Sequence, residues 1–251
     1  MARVELRDVT VYIQDGFSGS AVIATAVPAD GDNNLNVNTV ATTDTPTTMV
    51  PVGGRFTINS GTTNRIYTIT AETNTANSVN NVEFTPNLAT ADTVPAVADV
   101  LNFLPQRLEV KIGEGNLTWS EAKEYEYLRD RGNLDTVKEG DEQPVEVNLE
   151  FVYDYVKSSS GGDITPCDAI KQIGEAAGWI TSSDDQCEPY AIDILAKHCV
   201  PCGTDEDEDV LLQDFRWEGL DFDLQAATIA VTGKCNVSSA TVTRSDDPEC
   251  A

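Results

Sequence analysis

The densest ligand chemistry in this chain lies in the run "HCVPC", where His198 stands beside Cys199 and Cys202. Thiolates and an imidazole are zinc ligands. A closed tetrahedral site needs further ligands, for which Cys167 and Cys187 are the candidates. The histidine precedes the Cys-x-x-Cys pair, whereas haem attachment requires it afterwards, and no βαβ pattern surrounds the run to support a thioredoxin-like redox site. The residues therefore read as thiols at a strand end, with no metal and no other cofactor expected. If 190–197 is one extended strand, Cys187 and Cys202 lie at its opposite ends, too far apart to be bonded. Pairing of Cys167 with Cys187, or of Cys202 with Cys235, stays open, and reduced thiols are the default for a chain whose start has no signal-peptide character.

Carboxylates are the other abundant reactive group. With 42 acids against 16 bases among 251 residues, a glycosidase-like pair will arise by chance and carries no information. His198 is the sole histidine, and no nucleophile elbow lies near it to form a Ser-His-Asp relay. "GEG" at Gly113 to Gly115 lacks the third glycine of a dinucleotide loop. "DEDED" at Asp205 to Asp209 lacks the central glycine and final glutamate of an EF-hand loop, and reads as a solvated acidic turn. The chain is not expected to be an enzyme. Its net charge of -26 also excludes an ordinary nucleic-acid binder, because phosphate affinity needs clustered Lys and Arg. A surface this acidic repels DNA, which fits either solubility in salty water or a surface that faces DNA without holding it.

The elements that carry these acids are strands. From Val145 to Val156, Val145, Val147, Leu149, Phe151, Tyr153 and Tyr155 alternate with a set that includes Glu146, Asn148, Glu150 and Asp154, the period of a strand with one apolar and one acidic face. Arg3 to Gln14 carries Val4, Leu6, Val9, Val11 and Ile13 with a change of phase at Asp8, and reads as the first strand. Leu108, Val110 and Ile112 resume the pattern, followed by Leu117 and Trp119. In "AKEYEYLRD", Tyr125 and Tyr127 oppose Glu124 and Glu126, and "EGDEQP" at Glu139 to Pro144 is expected to turn the chain. Together these suggest a long hairpin with a projecting arm over Gly113 to Gly140. The last third adds "YAIDILAKHC", "LLQDFRWEGLDFDL" and "ATIAVTGKC", the first two with acids facing one way and apolar residues the other.

Between about Gly19 and Pro105 the composition shifts to Thr, Asn, Ala and Asp, with short strands expected at Gly54 to Ile58, Arg65 to Ala71 and Val82 to Pro86. Residues 19–105 thus read as a small inserted β module, and 1–18 with 106–251 as the main domain. After the flexible "KSSSGG" spacer comes one helix signal: Thr165 as N-cap, Pro166 at the first position, Asp168 in the first turn, and Ile170, Ile173, Ala177 and Ile180 at helical spacing. It is expected to end near Gly174 or Gly178. No apolar run of about 18 residues is present, so no transmembrane helix is expected.

The segments "EVKIGEGNLTWSEAKEYEYLRDRGNLDTVKEGDEQPVEVNLEFVYDYV", "TPCDAIKQIGEAAGWITSSDDQCEPYAIDI" and "DFRWEGLDFDLQAATIAVTGKCN", in that order, resemble the major tail tube proteins of long-tailed bacteriophages. The resemblance covers about Arg107 to Arg244 and more weakly Arg3 to Gln14; the 19–105 module departs from the compact members. It implies a mainly β chain, a β-sandwich with one flanking α-helix, whose copies form stacked rings of six and a hollow tube for genome delivery. It implies a virion-tail location after synthesis and assembly in the host cytoplasm, with tape-measure, tail-tip and terminator proteins as partners. Genomic DNA would pass without specific binding, and this chain would not insert into a membrane. On that basis Glu124, Glu126, Glu146, Glu150 and Asp154 are expected to face the channel. Tyr125, Tyr127, Leu128, Arg129 and Arg131 are expected on an arm contacting a neighbouring subunit or ring, and the inserted module on the tube exterior. The same residues fit the tube of a contractile tail or related injection device. The Thr- and Asn-rich insert with acidic turns also fits a secreted, calcium-dependent β-rich adhesin.

Overall fold

The computed structural model of the chain describes residues 9–25, 33–38, 54–58, 66–75, 79–85, 99–112, 116–153, 164–185, 187–200 and 206–245. They are mainly β. Strand β1 (Val9–Gln14) is followed by β2 (Gly19–Thr25), β3 (Asn34–Asn38), β4 (Arg55–Ile58), β5 (Ile66–Thr75), β6 (Val79–Thr85) and β7 (Val100–Leu104). Next come β8 (Arg107–Val110), β9 (Leu117–Ser120), β10 (Lys123–Asp130), β11 (Asn133–Glu142) and β12 (Val145–Val152). Helix α1 (Pro166–Lys171) precedes β13 (Ile192–His198), β14 (Asp207–Asp223), β15 (Thr228–Cys235) and β16 (Thr241–Ser245). The chain forms two compact units, one of Met1–Gln14, Leu108–Ala177 and Cys187–Ala251, the other of Asp15–Arg107 and Gly178–Gln186. The short segment Gly178–Gln186, which the sequence reading left in the main domain, belongs to the second unit.

In the first unit an eight-stranded sheet runs β8-β1-β13-β14-β15-β12-β9, with β16 also paired to β14. Strand β12 alternates fully: Val145, Val147, Leu149 and Phe151 are buried while Glu146, Asn148 and Glu150 are exposed. Its apolar row lies opposite Cys235, Gly233, Val231 and Ile229 of β15, so the two strands build one core face. The strand stops at Val152, short of the expected Val156, and Tyr153 is already exposed. Asp154 lies outside the described residues, as do Arg3 to Asp8 and the "GEG" run.

The expected turn at Asp205 to Asp209 is corrected over its second half. Asp207, Glu208 and Asp209 open β14, where Glu208 and Asp209 stand opposite His198 and Lys197 of β13. Buried Lys197 explains the change, since its Nζ lies 3.9 Å from Asp209 Oδ2 and a buried cation needs a carboxylate partner. Strand β14 then bends at Asp214, whose φ of 55° is left-handed and whose N–H donates to Asp193 Oδ1 at 2.9 Å. This bulge lets one long strand serve two ladders, β13 and β16 before it and β15 after it.

The helix starts as read, with a capping box between Thr165 and Asp168 and Pro166 in the first turn. It ends early. Gln172 takes a left-handed C-cap at φ 53°, so the expected stripe to Ile180 is broken, Ile173 is exposed, and Gly174–Gly178 forms a 3₁₀ turn. The cysteine pairings are also corrected: Cys167, Cys187 and Cys235 are thiols, and neither proposed bridge forms. Cys235 is walled into the core face of β15, and its buried thiol is pushed up to about 12, with Asp193 and Asp214 adding to the effect of desolvation. Cys199, by contrast, is in a disulfide, so the expectation of unpaired thiols at the end of β13 does not hold there.

The second unit is a closed barrel ordered β2-β3-β6-β5-β4-β7. Its strands alternate inward residues: Ala21 and Ile23, Leu35 and Val37, Phe56, Tyr67 and Ile69, Val82 and Phe84, Leu101 and Phe103 are all buried. Phe56, Tyr67 and Phe84 form a mutual ring cluster with centroids 5.2 to 5.5 Å apart. At the barrel's base fully buried Asp15 fastens three chain segments. Its Oδ1 accepts from Phe17 N at 3.1 Å and Gln106 N at 2.7 Å, and its Oδ2 from Gln106 Nε2 at 3.1 Å and Ile180 N at 3.4 Å.

Candidate assembly surface

The expected site residues fall on two separate sheets of the first unit. Glu146 and Glu150 share the open face of β12, while Glu124 and Glu126 sit on a two-stranded hairpin made by β10 and β11.

On the large sheet, register places Glu146 opposite Lys234, Asn148 opposite Thr232 and Glu150 opposite Ala230. The next strand adds Arg216, Asp221 and Asp223 to the same face. Glu146 is not a bare charge, because Lys234 Nζ lies 3.4 Å from its Oε1. Arg216 is likewise held by Glu188 and donates from Nε to Pro189 O at 3.1 Å. One end of the face is therefore charge-paired and the other, with Glu150, Asp221 and Asp223, is left acidic. The intervening positions are Thr118, Thr232, Ala230 and Gly219, short side chains that make a smooth surface. Such a face can repel an anionic polymer without offering it a binding pocket.

The hairpin is organised differently. Its reversal is at Arg131 and Gly132, with φ of 47° and 90°, as a two-residue type I′ turn requires. That replaces the turn expected at Glu139 to Pro144, of which Glu139 to Glu142 belong to β11. Tyr127 lies opposite Val137 and Arg129 opposite Leu134. Tyr125, Tyr127, Leu134 and Val137 are 46%, 58%, 68% and 54% exposed, although they are the apolar row of the ribbon. On the other face Glu126 is opposite Lys138, and Glu124 accepts from Gln143 Nε2 at 3.5 Å. Leu128 is half-buried; Arg129 and Arg131 are exposed, and neither forms an ion pair among the described residues. Isolated two-stranded hairpins are marginal in water, and this one spends its apolar side chains on solvent.

A third feature escaped the sequence reading. Strand β13 leaves β14 at Phe215, so from Trp217 to Asp223 one edge of β14 has no strand beside it among the described residues. Trp217 and Phe222 lie there 43% and 50% exposed, and Leu224 in the following turn is 80% exposed. Lys171 Nζ lies 5.4 Å from the Phe222 ring centroid, and Tyr153 meets that ring edge-on. The alternation in "DFDL" was legible as a strand, but nothing in it said that the neighbouring strand would depart. No group of His, Cys, Asp and Glu close enough to hold a metal ion occurs among the described residues. Compared with known proteins, the chain matches no family model, no curated sequence and no solved structure.

Proposed function

We propose that the chain is the building block of a phage tail tube, a virion structural protein made and assembled in the host cytoplasm. Its copies form stacked rings, most simply of six, around a channel for genome delivery. In this reading the large sheet and a second layer form a β-sandwich flanked by α1, and the barrel is the inserted module on the outer wall. Glu146, Glu150 and Asp154, joined by Glu124 and Glu126 of neighbouring copies, face the channel. Tyr125, Tyr127, Leu128, Arg129 and Arg131 form the arm that reaches another subunit. Tape-measure, tail-tip and terminator proteins complete the tail, and DNA passes without being bound.

The observation that carries this reading is the hairpin of β10 and β11, which exposes its aromatic row and pairs with no further strand among the described residues. A free monomer gains nothing from such a ribbon; an assembling subunit does. The resemblance of the segments from Arg107 to Arg244 supplies the kind of assembly. Negative-stain electron microscopy of the purified protein tests it. Rings or tubes with a central channel are expected, and a uniform population of monomers would refute the proposal.

A further inference from the structure

The second unit is built from two stretches of chain, Asp15–Arg107 and the short Gly178–Gln186, and the side chain of Asp15 ties one to the other. Its Oδ2 accepts from Ile180 N, and Gly16 N donates back to Ile180 O at 3.0 Å, so both backbone polar groups of Ile180 are held by the segment that enters the barrel. The two backbones touch there. A Cβ on Gly16 would lie 2.0 Å from Thr181 O, so only glycine lets them come this close. Ile180 packs against the barrel core, and Trp179 and Ser183 are buried. The short stretch is nevertheless no strand of the barrel. Ser183 N donates to Thr181 Oγ1 and Asp185 N to Ser183 Oγ, both at 3.3 Å, turns that it makes with its own side chains. A segment laid on a closed barrel in this way, outside the barrel's ladders, opens at lower cost than the barrel itself.

We propose that Gly178–Gln186 is a strap at the base of the barrel, fastened by the Asp15 carboxyl and released when that carboxyl gives up its proton. Lifting the strap takes Ile180 N away from Oδ2 and lets water reach a carboxyl that is 0% exposed while the strap is down. Water favours the charged form, and the buried site favours the neutral one. Burial pushes the carboxyl up from 3.8 to about 6, an effect that its four N–H partners offset only in part. The charged groups on the surrounding segments are Arg107 next to Gln106, Asp184 and Asp185 in the strap, and Arg55 of β4, whose Nη2 donates to Pro105 O at 3.3 Å. The balance at Asp15 itself is set by burial and by its N–H partners. The closed form therefore binds the proton more tightly than the open one. Closure is fully favoured below pH 3.8 and is lost as pH rises through about 6. The device lies within the second unit and does not depend on the tube reading.

Hydrogen exchange of the full chain, read by mass spectrometry over peptides spanning 178–185 and divided by the intrinsic chemical rate, measures the opening. The strap is expected to exchange faster than β5 and β6 at every pH. Its corrected rate should rise at least ~10-fold from pH 4 to pH 7, up to the roughly 100-fold that a shift from 3.8 to about 6 allows. In Asp15→Asn the rise should vanish, because the amide has no proton to lose in this range. Gly16→Ala lifts the strap by contact with Thr181 instead of by charge, so it is expected to speed exchange of the strap at pH 4 and to leave β5 and β6 at their wild-type rates. A strap that exchanges no faster than β5 and β6 would overturn the proposal, since it would then open only with the whole barrel. So would a rise with pH that persists in Asp15→Asn, or a strap whose exchange at pH 4 is unchanged by Gly16→Ala.

Discussion

The barrel and the open sheet solve the same problem in opposite ways. Every β-strand exposes an edge unless a neighbour covers it, and the barrel disposes of its edges by closing β2 onto β7 and β3 through the sequence β2-β3-β6-β5-β4-β7. Its aromatic side chains, Phe17, Phe56, Tyr67, Phe84 and Phe103, all point into its own core. Among the described residues the first unit keeps the edge of β14 open beyond Phe215, and it places Trp119, Tyr125, Tyr127, Trp217 and Phe222 at 40% exposure or more. The difference lies in where each unit keeps its aromatic side chains. Aromatic burial in the barrel is spent on folding, while the same residue types on the hairpin and β14 stay at the surface.

The largest way to break this contrast is to remove an inward ring. Phe56 is fully buried between Tyr67, Phe84 and Phe103, so Phe56→Ala leaves a cavity in the middle of the cluster. A loss of about 3–5 kcal/mol is expected. Hydrogen exchange should place it in β2 to β7, with the amides of β12 to β15 unaffected. Equal acceleration in both sheets would mean that the barrel does not fold as a unit of its own.

Next in size is Asp15, the polar exception in the barrel. Burial pushes its carboxyl up from 3.8 to about 6, outweighing the four N–H groups that favour its charged form. The folded state then holds the proton more tightly than the unfolded chain. The resulting stability is fully present below pH 3.8 and is lost as pH rises through about 6, a change on the order of 3 kcal/mol. Among the described residues the hydrogen-bond partners of Asp15 are three backbone N–H groups and the Gln106 amide, none of them charged. Protonation requires an acceptor, and Gln106 can provide one by turning its amide so that Oε1 faces the acid. Asp15→Asn should therefore flatten the pH dependence of unfolding between pH 4 and 7 relative to the wild type, and an unaltered slope would assign that dependence to other acids.

How much of this could be read beforehand follows from the periodicity each element carries. Strand β12 was legible because four buried residues alternate with exposed polar ones, and the start of α1 because Thr165, Pro166 and Asp168 are local signals. Strands β2, β3 and β7 were missed: "SAVIA", "NLNVN" and "VLNFL" are short runs whose inward positions become apparent only when six strands close around one core. The helix end was misplaced because Gln172, an ordinary helix former, takes a left-handed conformation that no residue preference announces. For the candidate site, the tyrosines and arginines of the hairpin were visible in the sequence. The open edge of β14 was not, since it arises from where β13 stops and from the bulge at Asp214.

A smaller test concerns that helix start. Thr165 Oγ1 accepts from Asp168 N at 3.2 Å, while Asp168 Oδ2 accepts from Thr165 N at 3.2 Å and from its hydroxyl at 2.8 Å. Thr165→Ala removes half of the capping box and should lower stability by about 1 kcal/mol, seen as a shifted denaturant midpoint with an unchanged slope. A change in slope would mean instead that α1 had detached and altered the surface exposed on unfolding.

The smallest expected effect on folding is the most discriminating. Tyr127→Ser removes an aromatic ring that is 58% exposed and lies opposite Val137 of β11. Its effect on the unfolding midpoint of the monomer should stay within about 0.5 kcal/mol, as for other surface substitutions. Assembly should nevertheless weaken, because tyrosine at an interface contributes area at low entropic cost and its truncation commonly costs more than about 1 kcal/mol. Phe56 and Tyr127 would then be mirror images: one ring whose loss unfolds its sheet, and one whose loss leaves the fold intact and disconnects it from the next copy. If Tyr127→Ser destabilises the monomer instead, the hairpin's aromatic row is covered by its own chain, and the contrast between a closed and an open unit fails at that point.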